Sequence, residues 1–336
     1  MNHDSVLHWL TAVGLMEAGE QPAVELLAGG VSSDVMRVDL RRGPVCVKRA
    51  LPVLKVQAEW RAPVERSAHE VAWIRAAREF EPDAVPDVLA ADPERHCFAM
   101  PFYPGAQYPN WKEQLRDGVI APDVSASVGR IVAHVHQGTA HRPDIAAAFA
   151  FDADFTALRL DPYLRATAEA QPGVAAQLMA LHGRTRGTHL ALVHGDISPK
   201  NILVGPSGPL LLDAECAWYG DPAFDVAFCL NHFILKSVWR PRWTAAYAAC
   251  YRAFVETYRG IVAWEPWGDL EGRIASLLPA LLLARIDGLS PVEYVTAERD
   301  RSLVRDFAIE RLFAPPRSLE AMITDWTHRM KSRNPS

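Results

Sequence analysis

The sequence predicts an α+β fold with two lobes, a small β-rich N-terminal lobe and a larger α-helical C-terminal lobe. Residues 24–50 alternate short β-prone runs with turn residues, a pattern typical of an antiparallel meander. Residues from about 56 to 80 carry apolar side chains at helical spacing, which predicts one helix crossing this sheet. Two further strand-like runs, DVLAA and HCFAMPFY, complete the N-terminal lobe.

A change in composition near Gly105 marks the boundary between the lobes. After Pro104-Gly105 the chain is mostly helical and Ala-rich, and it is helical again beyond Asp221. Short apolar runs broken by Gly and Pro between these helical regions predict an embedded β-hairpin. We therefore expect an N-terminal lobe over residues 1–104, a hinge at about 99–104 and a C-terminal lobe over residues 105–336.

Composition excludes several classes of protein. The net charge of −5 and the lack of a long Lys/Arg block argue against nucleic-acid binding. The N-terminus lacks the pattern of a signal peptide and favours an amphipathic helix, and the longest apolar stretch, 274–286, is too short to span a bilayer. Five cysteines without a CxxC pair argue against a disulfide framework and a zinc site. We expect a cytoplasmic protein without a membrane partner; the sequence leaves its oligomeric state open.

The strongest motif is HGDISPKNILV, residues 194–204, followed by an apolar run that ends at Asp213. Phosphoryl transfer requires metal ions on the phosphates and a carboxylate that orients the acceptor hydroxyl and takes its proton. Asp196 and Asn201 have the spacing of the base and the metal ligand in a kinase catalytic loop. Individually, the three residues also fit a tight turn, a hairpin cap and a loop carboxylate. Their combination favours catalysis, with Asp196 as base and Asn201 and Asp213 as magnesium ligands.

These residues, with the downstream DAE and GDPAFDVAF segments, resemble the aminoglycoside phosphotransferases and the related choline, fructosamine and methylthioribose kinases. The resemblance runs from about residue 27 to residue 233. It implies a protein-kinase-like fold, use of ATP and Mg²⁺, and a small hydroxyl acceptor. It also implies that Asp225 braces the catalytic loop by hydrogen bonds. Glu215, two positions after the expected metal ligand, fits either a metal contact or a supporting role.

Lys48 lies at the end of a predicted strand, where a kinase lysine contacts the α- and β-phosphates and pairs with a helix glutamate. Glu70 shares a predicted helix face with Trp73, Ile74 and Ala77, so it is the preferred partner. Glu59 and Glu65 remain open because the sequence does not fix the helix register.

Two more segments are predicted to bind the nucleotide. The run GGVSSD, residues 29–34, can approach phosphates through its glycines and through Ser32 and Ser33, although a plain hairpin turn also fits. The hinge can bind adenine through the Pro101 carbonyl and the Tyr103 backbone N–H, although an edge strand fits the same residues.

Only eleven residues separate Asp213 from Asp225, too few for the segment on which protein kinases dock peptides, so a small acceptor is expected. Several residues of the C-terminal lobe are acceptor-site candidates, each with a structural role as its alternative. They are Trp218, Tyr219, Asp221, Asn231, His232, Arg285 and Asp287. An aminoglycoside, a sugar such as methylthioribose and an amino alcohol all remain open as acceptors. The rival hypotheses are a non-catalytic pseudokinase or scaffold and, less favoured, a protein kinase.

Overall fold

A five-stranded antiparallel sheet forms the N-terminal part of the chain. The computed structural model describes residues 3–27, 32–52 and 63–333. The strands are β1 (Val24–Leu26), β2 (Ser33–Leu40), β3 (Gly43–Ala50), β4 (Ala90–Asp92) and β5 (Cys97–Pro101). Their spatial order is β1-β2-β3-β5-β4. Since β3 is central in this order, both of its edges pair with neighbouring strands, and the consecutive residues 45–48 are buried, which shows that both faces are covered at this point.

The two faces of the sheet pack against different helices. Strand alternation directs Val45 and Val47 of β3 to one face, where they join a cluster with Trp9 of α1 (His3–Ala12). It directs Cys46 and Lys48 to the opposite face, which is covered by α2 (Arg66–Arg78). The alternation of β3 therefore places a lysine in the interface between the sheet and α2.

Helices make up most of the remaining chain. They are α3 (Trp111–Asp117), α4 (Pro122–Thr139), α5 (Pro143–Ala148), α6 (Asp152–Phe155), a π-helical segment (Thr156–Arg165), α7 (Ala166–Ala170), α8 (Ala175–Arg186), α9 (Ala223–Trp239), α10 (Thr244–Arg259), α11 (Trp267–Asp287), α12 (Glu298–Phe313) and α13 (Leu319–Arg333). Helix α9 is mostly apolar and is buried on all faces, with 16 of its 17 residues buried. Such a helix forms the centre of a helical layer rather than its surface.

Two small antiparallel sheets interrupt the helices and carry the HGDISPKN motif. Strand β6 (Ala191–Val193) pairs with β9 (Trp218–Gly220), and β7 (Ile202–Gly205) pairs with β8 (Gly208–Leu211). The motif connects β6 to β7, and Asp213 follows β8 by two residues. Both sheets therefore fix the ends of the segments that carry the candidate residues.

The α+β fold class predicted from the sequence is confirmed, including the antiparallel meander and the embedded hairpin. The helix expected from about residue 56 is described only from Arg66, because residues 53–62 lie outside the described part of the chain. The apolar stretch 274–286 lies within α11, and none of the described helices has the length and apolar character needed to cross a membrane. The boundary at Gly105 stays a prediction.

Candidate active site

Lys48 joins two carboxylates that come from distant parts of the sequence. Its Nζ lies 2.6 Å from Oε2 of Glu70 on α2, and it also contacts Oδ1 of Asp213. Of the three glutamates considered, the structure selects Glu70; Glu59 lies outside the described residues, and Glu65 precedes α2. Glu70, Trp73 and Ala77 are all buried on one face of α2, as their spacing predicts.

Burial and the neighbouring charges shift the pKa values of Lys48, Glu70 and Asp213 in opposite directions. Burial lowers the pKa of Lys48, but Asp213 and Glu70 raise it more, so the net pKa lies above its ordinary value. Burial raises the pKa of Glu70, and the Lys48 ammonium acts in the opposite direction. For Asp213 burial again raises the pKa, but Lys48 and Lys200 lower it below its usual range. Lys48 therefore stays a cation at neutral pH beside an ionised Asp213.

A buried turn holds Asp196 at the end of β6. Gly195 has a φ of +79°, and a Cβ placed there would lie 2.5 Å from the carbonyl oxygen of Cys216. Only glycine satisfies both conditions, since an L side chain disfavours this backbone region. The Asp196 N–H donates to Nδ1 of His194 at 3.1 Å, so this ring nitrogen is unprotonated.

Asp225 fixes the same turn from the first turn of α9. Its two carboxylate oxygens accept hydrogen bonds from the backbone N–H groups of His194 (2.7 Å) and Gly195 (2.8 Å). His136 Nε2 lies 3.3 Å from Oδ2 of Asp225, and the other ring nitrogen of His136 contacts the Tyr258 hydroxyl at 2.8 Å. The bracing that the family resemblance implied for Asp225 is present as two charge-assisted hydrogen bonds.

Two cations contact the carboxylate of Asp196. Arg159 NH2 lies 2.9 Å and Lys200 Nζ 3.2 Å from Oδ2. Arg159 also donates through Nε to the Gly195 carbonyl at 2.6 Å. Burial raises the pKa of Asp196, but Lys200 and Arg159 lower it well below the usual range, so the carboxylate is ionised at neutral pH.

Arg159 was missed by the sequence analysis. It lies 37 residues before Asp196 in the π-helical segment, and no local motif connects the two. The signal available in the sequence was an arginine within the apolar run FTALRLDPYL. Such a position requires a partner for the charge.

Asn201 and Asp213 carry side-chain oxygens on two segments that are joined by a backbone hydrogen bond. Asn201 Nδ2 donates to the Asp196 carbonyl at 3.1 Å, and the Leu212 N–H donates to the Asn201 carbonyl at 2.9 Å. Asp213 has a φ of +69°, a left-handed conformation that Asp tolerates better than most residues. No group of three His, Cys, Asp or Glu side chains among the described residues forms a metal site by itself. A cation at Asn201 and Asp213 would need further oxygens from a ligand, as Mg²⁺ on nucleotide phosphates does.

Arg66 connects the segment after β8 to the residues that flank β2 and β3. Its side chain is buried; Nε lies 3.0 Å from Oε2 of Glu215, and NH2 donates to the carbonyls of Ser32 and Leu51. Glu215 therefore pairs with an arginine, which favours the supporting role over direct metal contact. Sequence reasoning missed Arg66 as well.

The two serines and the hinge lie at the edges of this region. Ser33 begins β2 opposite Ala50 and is buried, while Ser32 precedes it and residues 28–31 lie outside the described part of the chain. Pro101 ends β5 opposite Val45. Tyr103 follows Pro101, and its N–H forms no hydrogen bond within the described chain. The roles of all four residues in nucleotide binding stay predictions.

Most of the acceptor-site candidates serve packing or ion pairing. Asp221 pairs with Arg273 at 3.1 Å and Asp287 with Arg305 at 2.7 Å. Trp218 is fully buried and stacks on a phenylalanine. His232 and Arg285 differ, because both line a cavity beside the catalytic segment.

The match to a known family covers most of the chain. Residues 23–266 match the model of the phosphotransferase enzyme family known as APH, and the chain belongs to this family. The family resemblance inferred from the sequence is thereby confirmed.

Curated relatives are distant in sequence. The methylthioribose kinase of Escherichia coli O45:K1 is 23% identical over 67% of this chain and 60% of its own length. That of Bacillus cereus strain B4264 is 25% identical over 61% of this chain and 58% of its own length. The chain thus spans about 60% of the length of the curated relatives it matches.

Solved structures support the fold. A choline/ethanolamine kinase family protein from Mesorhizobium loti has a TM-score of 0.54 at 19% identity, covering 98% of this chain and 100% of its own. An amicoumacin kinase in complex with AMP-PNP, Ca²⁺ and amicoumacin has a TM-score of 0.56 at 15% identity, covering 95% of each chain. A spectinomycin phosphotransferase in complex with ADP and spectinomycin has a TM-score of 0.52 at 13% sequence identity, and the match covers 100% of this chain and 95% of that one. The chain therefore has a protein-kinase-like fold.

Proposed function

We propose that this protein is an ATP-dependent kinase that transfers the γ-phosphate of ATP to a hydroxyl of a small acceptor. The main observation behind the proposal is that the buried Lys48 contacts both Glu70 and Asp213. These residues come from β3, α2 and the segment after β8, and an ion triad of this composition is what kinases use to hold nucleotide phosphates. Family membership and the nucleotide-bound neighbours support it further.

In this mechanism Asp196 orients the acceptor hydroxyl and takes its proton. As the acceptor oxygen bonds to the γ-phosphorus, the bond to the bridging oxygen breaks and ADP leaves. Arg159 and Lys200 keep Asp196 ionised, while Asp225 holds the turn that aims it. Lys48 stabilises negative charge on the α- and β-phosphates.

The donor set fits a hard divalent cation. Asp213 and Asn201 would hold Mg²⁺, since carboxylate and amide oxygens are its preferred protein ligands. When bound, the ion neutralises charge on the phosphates. We propose that the hinge residues Pro101 and Tyr103 bind the adenine ring and that Ser32 and Ser33 contact the phosphates of the nucleotide. The cytoplasmic location expected from the cysteines is kept as part of the proposal.

Turnover of an acceptor panel tests the function. The purified protein with Mg-ATP is incubated with aminoglycosides, methylthioribose, other sugars, choline and nucleosides, and ADP release is followed. Asp196→Asn should lower kcat by about 100-fold or more, because general-base catalysis contributes roughly 10²–10⁴. It should leave ATP binding nearly intact, whereas Asp213→Ala should weaken Mg-ATP binding.

Asp306→Asn is the matched control, since Asp306 is an exposed residue of α12. Full activity of Asp196→Asn would contradict the base assignment. ATP binding without turnover of any acceptor would favour the pseudokinase alternative.

A further inference from the structure

A cavity with a strongly basic lining adjoins the catalytic segment. It has a volume of about 50 Å³, room for several water molecules, since one water needs roughly 10–15 Å³. The charged and titratable groups that line it are Lys112, Lys200, His232, Lys236, Arg285, Glu293 and Tyr294. Four cationic side chains thus face a single carboxylate. This cavity can take the head group of a small molecule, but not a large substrate as a whole.

Two of these cations have no acidic partner among the residues that the structure describes. Lys112 pairs with Glu293, and Lys200 pairs with Asp196. Neither Lys236 nor Arg285 forms an ion pair with any described residue; Arg285 donates only to a tyrosine hydroxyl and to Ser290. A buried charge without a counter-ion is costly, so its presence calls for a ligand that supplies one.

Lys236 is the most unusual of these groups. It lies on the apolar helix α9, is 1% exposed, and its ammonium approaches the rings of Trp239 and Tyr294 at 5.4 and 5.1 Å. Burial, with a smaller contribution from the Lys112 ammonium, lowers its pKa to about 7. The other charged groups around it are Arg116 on α3, Glu293 after α11, Arg285 on α11 and His232 on α9 itself.

Three of the lining residues also carry buried polar atoms for which the described residues supply no hydrogen-bond partner. Nε2 of His232, Nε of Arg285 and the hydroxyl of Tyr294 are buried and form no hydrogen bond with any described residue. Burial lowers the pKa of His232 well below its ordinary value, and Arg285 and Lys236 act in the same direction, so the ring is neutral. Such unsatisfied groups are rare in native interiors and mark a site for a polar ligand.

We propose that the cavity binds a phosphate monoester group of the acceptor, so that the substrate is an anionic hydroxyl compound rather than a cation or a neutral sugar. This inference rests on the proposed kinase function and names its substrate class. Lys236 and Arg285 together match the two negative charges of a phosphate monoester better than the single charge of a carboxylate. Lys200 lines the cavity and contacts Asp196 at 3.2 Å, so a molecule anchored there presents its body next to the base.

Binding of inorganic phosphate tests the cavity without turnover. Titration calorimetry is done at pH 6.5 with saturating Mg-ADP, which keeps the nucleotide site occupied. Lys236→Met should weaken phosphate binding by about 10- to 100-fold, as expected for loss of one charge-assisted hydrogen bond. Lys236→Arg should retain it. Lys331→Met, which removes the same charge from an exposed position on α13, should leave it unchanged.

Turnover of a matched acceptor series tests the substrate class. Glycerol 3-phosphate, glycerate, glycerol and choline share a hydroxyl and differ in the charged group. The phosphate compound should have the highest kcat/KM, and Lys236→Met should raise its KM while leaving the KM for ATP unchanged.

Equal phosphate binding in Lys236→Met, or preference for glycerate, glycerol or choline, would overturn the inference. An increase in the KM for ATP alone would assign the cavity to the nucleotide and overturn it as well. Absence of ADP release with every acceptor would instead refute the proposed kinase function, while the phosphate titration would still decide whether the cavity binds an oxyanion.

Discussion

Asp225→Asn should loosen the catalytic turn without touching any substrate contact. The wild-type carboxylate accepts two backbone hydrogen bonds, from His194 at 2.7 Å and Gly195 at 2.8 Å, and is 1% exposed. The amide keeps one acceptor oxygen and turns its NH₂ group toward the other N–H. One charge-assisted bond, worth about 1.5–3 kcal/mol, is lost, and a buried N–H is left unsatisfied.

We expect a loss of about 2–4 kcal/mol in the free energy of unfolding. If the lost interaction displaces the turn and with it Asp196, the activation free energy rises. The value of kcat then falls at least about tenfold, because each 1.36 kcal/mol corresponds to a factor of ten. The KM for ATP should change little, since Asp225 acts on the turn that carries Asp196 and not on Lys48. A fall in kcat with an unchanged KM for ATP would show that Asp225 positions Asp196. A general loss of stability would not produce this difference.

Thermal denaturation and steady-state kinetics check the prediction side by side. Asp306→Asn provides the same chemical change at an exposed site of α12. If Asp225→Asn matches Asp306→Asn in both melting temperature and kcat, the bracing argument is refuted.

Two further predictions follow from the same region and from the basic cavity. Gly195→Ala should remove activity and lower the melting temperature, because the new Cβ meets the Cys216 carbonyl at 2.5 Å and the φ of +79° disfavours alanine; wild-type kinetics would contradict it. For Lys236, whose pKa is about 7, kcat/KM for an anionic acceptor should fall as pH rises above 7, since the ammonium loses its proton. Lys236→Arg should remove that fall because arginine stays charged, and a pH profile unchanged by this substitution would exclude Lys236 as the titrating group.

The lowered pKa of Lys236 also makes the free energy of unfolding depend on pH. Its pKa is lower in the folded than in the unfolded protein, so the unfolded chain binds more protons between pH 7 and its ordinary pKa. Stability contributed by this group therefore rises with pH over that interval, whereas affinity for an anionic acceptor falls. A bound anion compensates the cost of the buried charge below pH 7.

Local patterns were sufficient for much of the site. The spacing of Asp196 and Asn201 lies within one loop, and strand alternation places Lys48 on the covered face of β3. The meander between residues 24 and 50 was predictable because antiparallel strands pair with their neighbours in sequence. Each of these features depends on residues only a few positions apart.

Longer-range contacts could not be obtained in this way. The choice of Glu70 required the register of α2 against β3, and Arg66 reaches Glu215 across 149 positions of sequence. Arg159 approaches Asp196 only because the π-helical segment packs beside the catalytic turn. Periodicity in the sequence does not predict these contacts, since they depend on how whole helices and strands pack against one another.

The sequence by itself determined the fold class and the family and predicted a catalytic loop, because these features are expressed in local spacing and hydrophobic pattern. Only the tertiary structure decided which charges are neutralised and which are not. In the sequence, Lys236 is simply a lysine within the largely apolar run NHFILKSVW. That no carboxylate of the described chain pairs with it becomes visible only once α3, α9 and α11 enclose it, because a side chain's electrostatic environment is set by every element packed around it.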